Sequence, residues 1–166
     1  MSDLTVAPAG GSALDDLVAA LGQRAFFAEK LAAQSRAEGV LLVGRVDGAP
    51  VGDVWVSFTP APEIEVNTFL PGVPMLVHLE VLPEVRDRGY GTAIIRAAED
   101  LVRSRGHERI TLGVGVDNPA ARRLYERLGY AEWPHGLIDT GYEWTGDDGV
   151  SHRVDETITM LVRSLR

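Results

Sequence analysis

The segment His78-Leu-Glu-Val-Leu-Pro-Glu-Val-Arg-Asp-Arg-Gly-Tyr-Gly-Thr-Ala-Ile-Ile-Arg96 decides how the rest of this 166-residue chain is read. Its first residues continue an apolar run that begins at Met75 and stops at Pro83, the pattern of a buried strand. A short polar turn follows, Arg86-x-x-Gly89-x-Gly91. From Ala93 onward, Ile94, Ala97, Ala98 and Leu101 recur at helical spacing, which predicts a helix through Val102. A helix start leaves its first backbone N–H groups unpaired, at the positive end of the helix dipole. Gly89 and Gly91 let an anion come close, because no Cβ stands in the way. Strand, glycine turn and helix together form a candidate phosphate cradle.

A second pattern follows in Asp117-Asn118-Pro119-Ala120-Ala121-Arg122-Arg123-Leu124-Tyr125-Glu126-Arg127-Leu128-Gly129-Tyr130. Asn118 is a good N-cap, Pro119 suits the first helical position, and Gly129 marks the stop. The two patterns, in this order, resemble the signatures of the GNAT acyl-CoA N-acyltransferases. These are Arg/Gln-x-x-Gly-x-Gly/Ala, and an Asn followed by a short helix carrying Tyr and then Leu-Gly-aromatic. The resemblance runs from about Val40 to Arg166 and is sharpest between His78 and Tyr130.

The resemblance implies an α/β fold with a mixed sheet. That sheet is twisted and mostly antiparallel, of about seven strands, splayed between its fourth and fifth strands, with helices on both faces. It implies acetyl-CoA as co-substrate, no metal, and transfer of the acetyl group to a primary amine of a small molecule or peptide by direct attack. Arg86, Arg88, Gly89, Tyr90, Gly91 and Thr92 would hold the pyrophosphate, and the backbone at Leu79 and Val81 would pair with the pantetheine arm. Asn118 would contact the cofactor, and Tyr125 would donate a proton to the leaving thiolate. Read from the helix pattern alone, Tyr125 is a packing residue beside Leu124 and Leu128, and Asn118 is a cap. A non-catalytic acyl-CoA sensor on the same fold is the alternative function, and both monomer and homodimer stay open.

Glu80 is the candidate base. Strand alternation puts His78, Glu80 and Leu82 on one face and Val77, Leu79 and Val81 on the other. A carboxylate in so apolar a strand needs a partner, such as an arginine, or a water-filled cleft. His78 is the second candidate. In relatives that act on protein N-termini a glutamate stands five residues before the signature asparagine. Here that position is Gly113, in Gly113-Val-Gly115-Val. The two glycines mark either a bulge or a close approach by ligand.

Composition narrows the classes further. At 45% hydrophobic residues the chain can bury a core, and its length suits a single domain over 1–166. It has no cysteine, so an acyl-cysteine intermediate is excluded. A net charge of −8 argues against nucleic acid and suits a cationic amine. No leader pattern or membrane-length apolar run is present, which gives a cytoplasmic expectation. A dinucleotide-binding reading fails, because no Gly-x-Gly-x-x-Gly occurs.

The remaining elements follow from periodicity. Leu4–Ala7 predicts a strand. A helix capped by Ser12 runs from Leu14 to about Ala37, with a pause at Gly22 and a stop at Gly39. Val40–Val46 and Val51–Phe58 form a hairpin about Asp47-Gly48. Pro60 to Pro74 is a loop. Arg109–Val116, a strand within Trp133–Glu143, and Val154–Leu165 complete the sheet, with Asp147-Asp148-Gly149 in the last turn. Acidic and aromatic residues at Phe26, Phe27, Glu63, Glu65, Trp133, His135, Asp139, Tyr142, Glu143 and Trp144 fall where the family shapes its acceptor site.

Overall fold

The computed structural model describes residues 3–166. Its strands are β1 (Leu4–Pro8), β2 (Gly39–Val46), β3 (Ala49–Ser57), β4 (Met75–Val81), β5 (Arg109–Gly115), β6 (Ala131–Glu132), β7 (Ile138–Thr145) and β8 (Ser151–Ser164). Its helices are α1 (Leu14–Leu21), α2 (Arg24–Ser35), α3 (Ile64–Phe69), α4 (Tyr90–Ser104) and α5 (Pro119–Arg127), with a 3-10 turn at Pro83–Val85. The strands form one sheet in the order β1-β2-β3-β4-β5-β8-β6, and β7 also pairs with β8. All pairings are antiparallel except β4 with β5. The mixed α/β architecture is the expected one. Its eight strands exceed the expected seven by the two-residue β6, too short to leave a periodic signal.

Both faces of the sheet are covered. On one, α4 lays Ile94, Ile95, Ala98 and Val102 against Leu42, Val54, Val56 and Leu112, all buried. On the other, Leu17 of α1 and Phe27 of α2 pack on Leu41, Val43 and Trp55. Alternation along β2 assigns Leu41 and Val43 to one face and Val40 and Leu42 to the other. The β2–β3 hairpin turns at Asp47 and Gly48, with φ of 51° and 82°, the left-handed pair of a type I′ turn.

Several boundaries differ from expectation for local reasons. Ser12 is not the cap: α1 starts behind Ala13 with no side-chain cap. The pause at Gly22 is a full break into two helices, because Gly22 and Gln23 both take positive φ. The second helix stops at Ser35. Gly39 opens β2, where a Cβ would run into the Trp55 ring and the Val56 carbonyl. The proline-punctuated loop contains α3, whose Val66 and Leu70 reach Trp133, Ile138 and Met160. The strand expected within Trp133–Glu143 is β7, which starts at Ile138 and runs on to Thr145. Gly113 and Gly115 form no bulge, since β5 keeps register with β8 throughout. The space at Gly113 is taken by Ile158 and Met160 of the same sheet.

One buried charge is built into the α4 face. Glu99 is 1% exposed, bonded to Arg96 (2.8 Å) and to the Tyr130 hydroxyl, which donates at 2.9 Å, and paired with Arg163 at 2.6 Å. Burial would raise its pKa, but the Arg96, Arg163 and Tyr130 contacts outweigh burial and hold the carboxyl below the ordinary glutamate value. A lowered folded pKa contributes stability above the unfolded value and loses it as pH falls. Glu99→Gln should therefore destabilise the protein by about 3 kcal/mol at pH 7. In urea denaturation across a pH series, that difference should shrink as pH drops below about 4.3.

Candidate active site

The short pairing between β4 and β5 opens the site. Only Met75 with Thr111 and Leu76 with Leu112 are in register. From Val77 to Val81, β4 is laddered to β3 alone, so its other edge is free of strand pairing. This is the splay expected between the fourth and fifth strands. Leu79 and Val81 turn their side chains into the α4 core while their backbone borders the gap.

The phosphate-cradle segment lies at the end of β4. Asp87 and Gly89 have φ of 63° and 81°, so the turn before α4 winds its backbone through the left-handed region twice. Among the described residues no side chain caps α4, and its first turn closes only at the Ala93 N–H to Gly89 carbonyl bond of 3.0 Å. The N–H groups of Tyr90, Gly91 and Thr92 precede that bond and have no intrahelical acceptor. Around Gly89 a Cβ would meet nothing within 4 Å, whereas at Gly91 it would touch Val81 at 3.8 Å. Arg88 is exposed, and Arg86 donates to the Val81 carbonyl at 3.0 Å.

Asn118 caps α5, and Tyr125 lies within it. The Asn118 side chain accepts from the Ala121 N–H at 3.2 Å, so the capping role is real. Tyr125 packs on the α4-side core and meets Tyr130 edge-on at 6.0 Å. Burial raises the Tyr125 pKa, which keeps the phenol protonated at neutral pH.

On the opposite face of β4, the structure brings together Asp53, His78, Gln23, Glu80 and Phe26, of which the sequence pointed to His78, Glu80 and Phe26. Trp55 lies opposite Val77 but Asp53 lies opposite Glu80, so β4 carries an extra residue at His78–Leu79. His78 takes φ 61°, a conformation that costs a non-glycine residue about 1–3 kcal/mol. The bulge corrects the simple alternation: Val77 pairs with Trp55, on the same face as Glu80. His78 Nδ1 lies 3.0 Å from Asp53 Oδ2, and Nε2 lies 2.8 Å from Gln23 Oε1 and 3.4 Å from Glu80 Oε1. Gln23 also donates to Glu80 at 3.3 Å, and Phe26 stacks on the imidazole at 3.8 Å.

Among the described residues Glu80 thus has no arginine partner. Its neighbours are His78 and Gln23, and its side chain is 52% exposed. Asp53 is 1% exposed, and its second oxygen has no protein partner. Burial raises its pKa, opposed in part by His78. For His78, burial pushes the pKa down, but Asp53 and Glu80 outweigh it and the net shift is upward. Asp53 and Gln23 were not foreseen. Asp53 carried a usable signal, a lone carboxylate inside the apolar run Val51–Phe58, by the same argument that flagged Glu80. Gln23 carried none, because a left-handed helix-entry residue looks like any other in a helical pattern.

The acceptor-side residues scatter. Phe26 joins the His78 cluster, whereas Phe27 is core. Trp133 and His135 pack with Phe69, and Trp144 stacks on His152. Glu63 accepts from Thr140 at 2.8 Å. An open cleft of about 560 Å³ lies beside the turn that leads to Asn118, lined in part by Asp117, Asp139, Asp155 and Glu156, with Arg153 as the one basic side chain.

Residues 12–130 match the family described as "Acetyltransferase (GNAT) family". The chain belongs to that family. An uncharacterized N-acetyltransferase of Methanocaldococcus jannaschii is 36% identical over 97 residues, 58% of this chain and 41% of that protein. The chain therefore matches less than half the length of this relative. Among solved structures, the ribosomal-protein-S18-alanine N-acetyltransferase of Escherichia coli superposes with a TM-score of 0.70 at 17% identity, covering 98% of this chain and 94% of that one. A GNAT family acetyltransferase from Elizabethkingia anophelis with acetyl-CoA bound gives 0.63 at 12% identity, covering 97% of each. At such identities the likeness is one of fold.

Asn118→Ala should remove the cap of α5 at a cost of about 1 kcal/mol. The loss would be read as a lowered urea midpoint with an unchanged slope.

Proposed function

We propose that this protein transfers an acetyl group from acetyl-CoA to a primary amine of a small molecule or peptide, with both substrates bound and the amine attacking directly. The observation that carries the reading is the gap between β4 and β5. An uncapped, glycine-opened helix start follows β4, Tyr125 packs on the α4-side core, and the His78–Glu80 cluster lies on the opposite face of β4. The cofactor fits what surrounds the gap. The Gly89–Thr92 backbone and the charges of Arg86 and Arg88 suit a pyrophosphate. The unpaired edge of β4 at Leu79 and Val81 offers hydrogen bonds to the amides of a pantetheine arm. Asn118 keeps its amide NH₂ for the cofactor while its oxygen caps α5.

The chemistry follows from the substrates. An alkylamine is mostly protonated at neutral pH and must lose a proton before it can attack. Holding nitrogen and thioester carbon together supplies about 7–11 kcal/mol. Tyr125, kept protonated by burial, gives its proton to the departing thiolate. Glu80, exposed on the opposite face, draws in the ammonium group, and the polar cluster it shares with His78 supplies the proton-accepting side. The absence of cysteine leaves no thiol to carry the acetyl group. The carboxylates of the neighbouring cleft support a cationic acceptor.

Calorimetric titration should give micromolar binding of acetyl-CoA to the wild type and none to Gly89→Glu, whose side chain enters the open space beside the turn. Thiol release in the presence of a primary-amine panel should follow. Tyr125→Phe should lower kcat by about 10²-fold with little change in the KM for acetyl-CoA. Tight binding with no amine-dependent thiol release would instead support an acyl-CoA sensor.

A further inference from the structure

We infer that His78, held by the buried carboxylate of Asp53, is the group that takes the proton from the acceptor amine, and that Glu80 and Gln23 are positioning residues for it. The inference rests on the acetyltransferase reading and deepens it by naming the base. Three independent features point to this dyad. Asp53 is 1% exposed inside the sheet, and its Oδ2 is spent on His78 Nδ1 at 3.0 Å. A carboxylate so placed is costly unless it is paired, and it fixes both the tautomer and the plane of the imidazole. His78 reaches it only because β4 bulges and the histidine adopts φ 61°. Strain of that kind persists where surrounding contacts over-determine it, and here Phe26 clamps the ring by stacking at 3.8 Å. The bulge also lies on the stretch of β4 that has left β5, beside the gap where the thioester would stand.

The hydrogen-bond chain gives the direction of proton flow. With Nδ1–H donating to Asp53, Nε2–H donates to Gln23 Oε1 at 2.8 Å, and the Gln23 amide N–H donates to Glu80 at 3.3 Å. This is the donor order of an imidazolium, the form His78 takes after accepting a proton. In the neutral form the Nε2 lone pair faces Gln23 Oε1, oxygen against nitrogen, so the amide is repelled and an ammonium N–H takes its place. The proton passes from R–NH₃⁺ to Nε2, and the freed lone pair forms the C–N bond. As the C–S bond breaks, the thiolate takes the Tyr125 proton and the nitrogen gives its second proton back to Tyr125. One proton remains on His78 and is released to solvent, so the products are the amide, free CoA thiol and one H⁺.

The charged groups that bear on His78 are few. Asp53 faces it from β3 and Glu80 from β4. From the α1–α2 junction it meets neutral Gln23 and Phe26. Nearby Arg24 pairs with Asp15, and Asp147 of the β7–β8 turn is bonded to the Arg24 backbone N–H at 3.1 Å. Both carboxylates facing the ring favour the protonated imidazole, which suits a base that must compete for the proton of an ammonium ion.

The test combines nitrogen-15 NMR of the histidine rings with pH profiles of kcat/KM. The acceptors are phenethylamine, lysine methyl ester and an alanine-initiated tripeptide, each with acetyl-CoA. In wild type, His78 should titrate above the ordinary value of about 6.5, with the neutral form protonated at Nδ1. Asp53→Asn should bring that titration down. The acidic limb of the rate profile should follow the same group. It should shift to lower pH in Asp53→Asn, disappear in His78→Gln with a loss of about 10²–10⁴-fold, and survive in Glu80→Gln. A limb that persists in folded His78→Gln, or vanishes in Glu80→Gln, overturns the assignment while leaving the acetyltransferase reading intact. An Nε2-protonated neutral ring in wild type overturns it before any rate is measured. If wild type binds acetyl-CoA but releases no thiol with any of the three amines, the acetyltransferase reading falls and takes the base with it.

Discussion

The β4–β5 ladder stops after Leu76 and Leu112, and the site is arranged around that interruption. A strand inside a sheet normally spends every backbone N–H and C=O on its neighbours. Here β4 leaves one edge without a strand partner over Val77–Val81, with Arg86 bonded to the Val81 carbonyl, while its other edge stays bound to β3. The gap is tolerated because the two strands are braced separately. β4 is held by β3 and by α4, and β5 by its full register with β8. The cradle at Gly89 follows directly from the end of β4, so strand edge and helix start face the same opening.

A second constraint acts at the same place from the opposite face. A carboxylate buried at Asp53 requires a partner, and the β4 bulge delivers His78 to it. The imidazole then ties in Gln23 at the break between α1 and α2, where two consecutive residues take positive φ. That break is itself touched by the β7–β8 turn through Asp147. Elements from both ends of the chain thus meet at one polar cluster. The buried Glu99 group does corresponding work on the far side of the sheet, joining α4 to β8 through Arg163 and to the end of α5 through Tyr130.

Much of this was legible in the residues. The Asp47-Gly48 turn, the α4 stripe of Ile94, Ile95, Ala98 and Val102, and the Asn118-Pro119 start are local patterns whose physics does not depend on the rest of the fold. So are the left-handed glycines at Gly89, Gly106 and Gly129. Readings failed where a distant group decided the outcome. Gly39 looked like a helix stop and is a strand residue, because Trp55 fills the space its Cβ would need. Gly113 looked like a bulge and sits in regular register beneath Ile158 and Met160. The short α3 lacks enough turns for a periodic signal and is held by contacts with Trp133 and Ile138.

The sequence by itself determined the family, the order of the longer strands and helices, and the two signature segments, since each depends on short-range rules of spacing, capping and turn geometry. Which side chains meet on the face of β4 opposite α4 was decided by tertiary structure alone. Asp53 and His78 are 25 residues apart, and Gln23 and His78 are 55 apart. Their contact requires a bulge that no alternation pattern announces. A one-residue slip in a strand changes which face a side chain presents, and only the packed sheet determines where that slip falls.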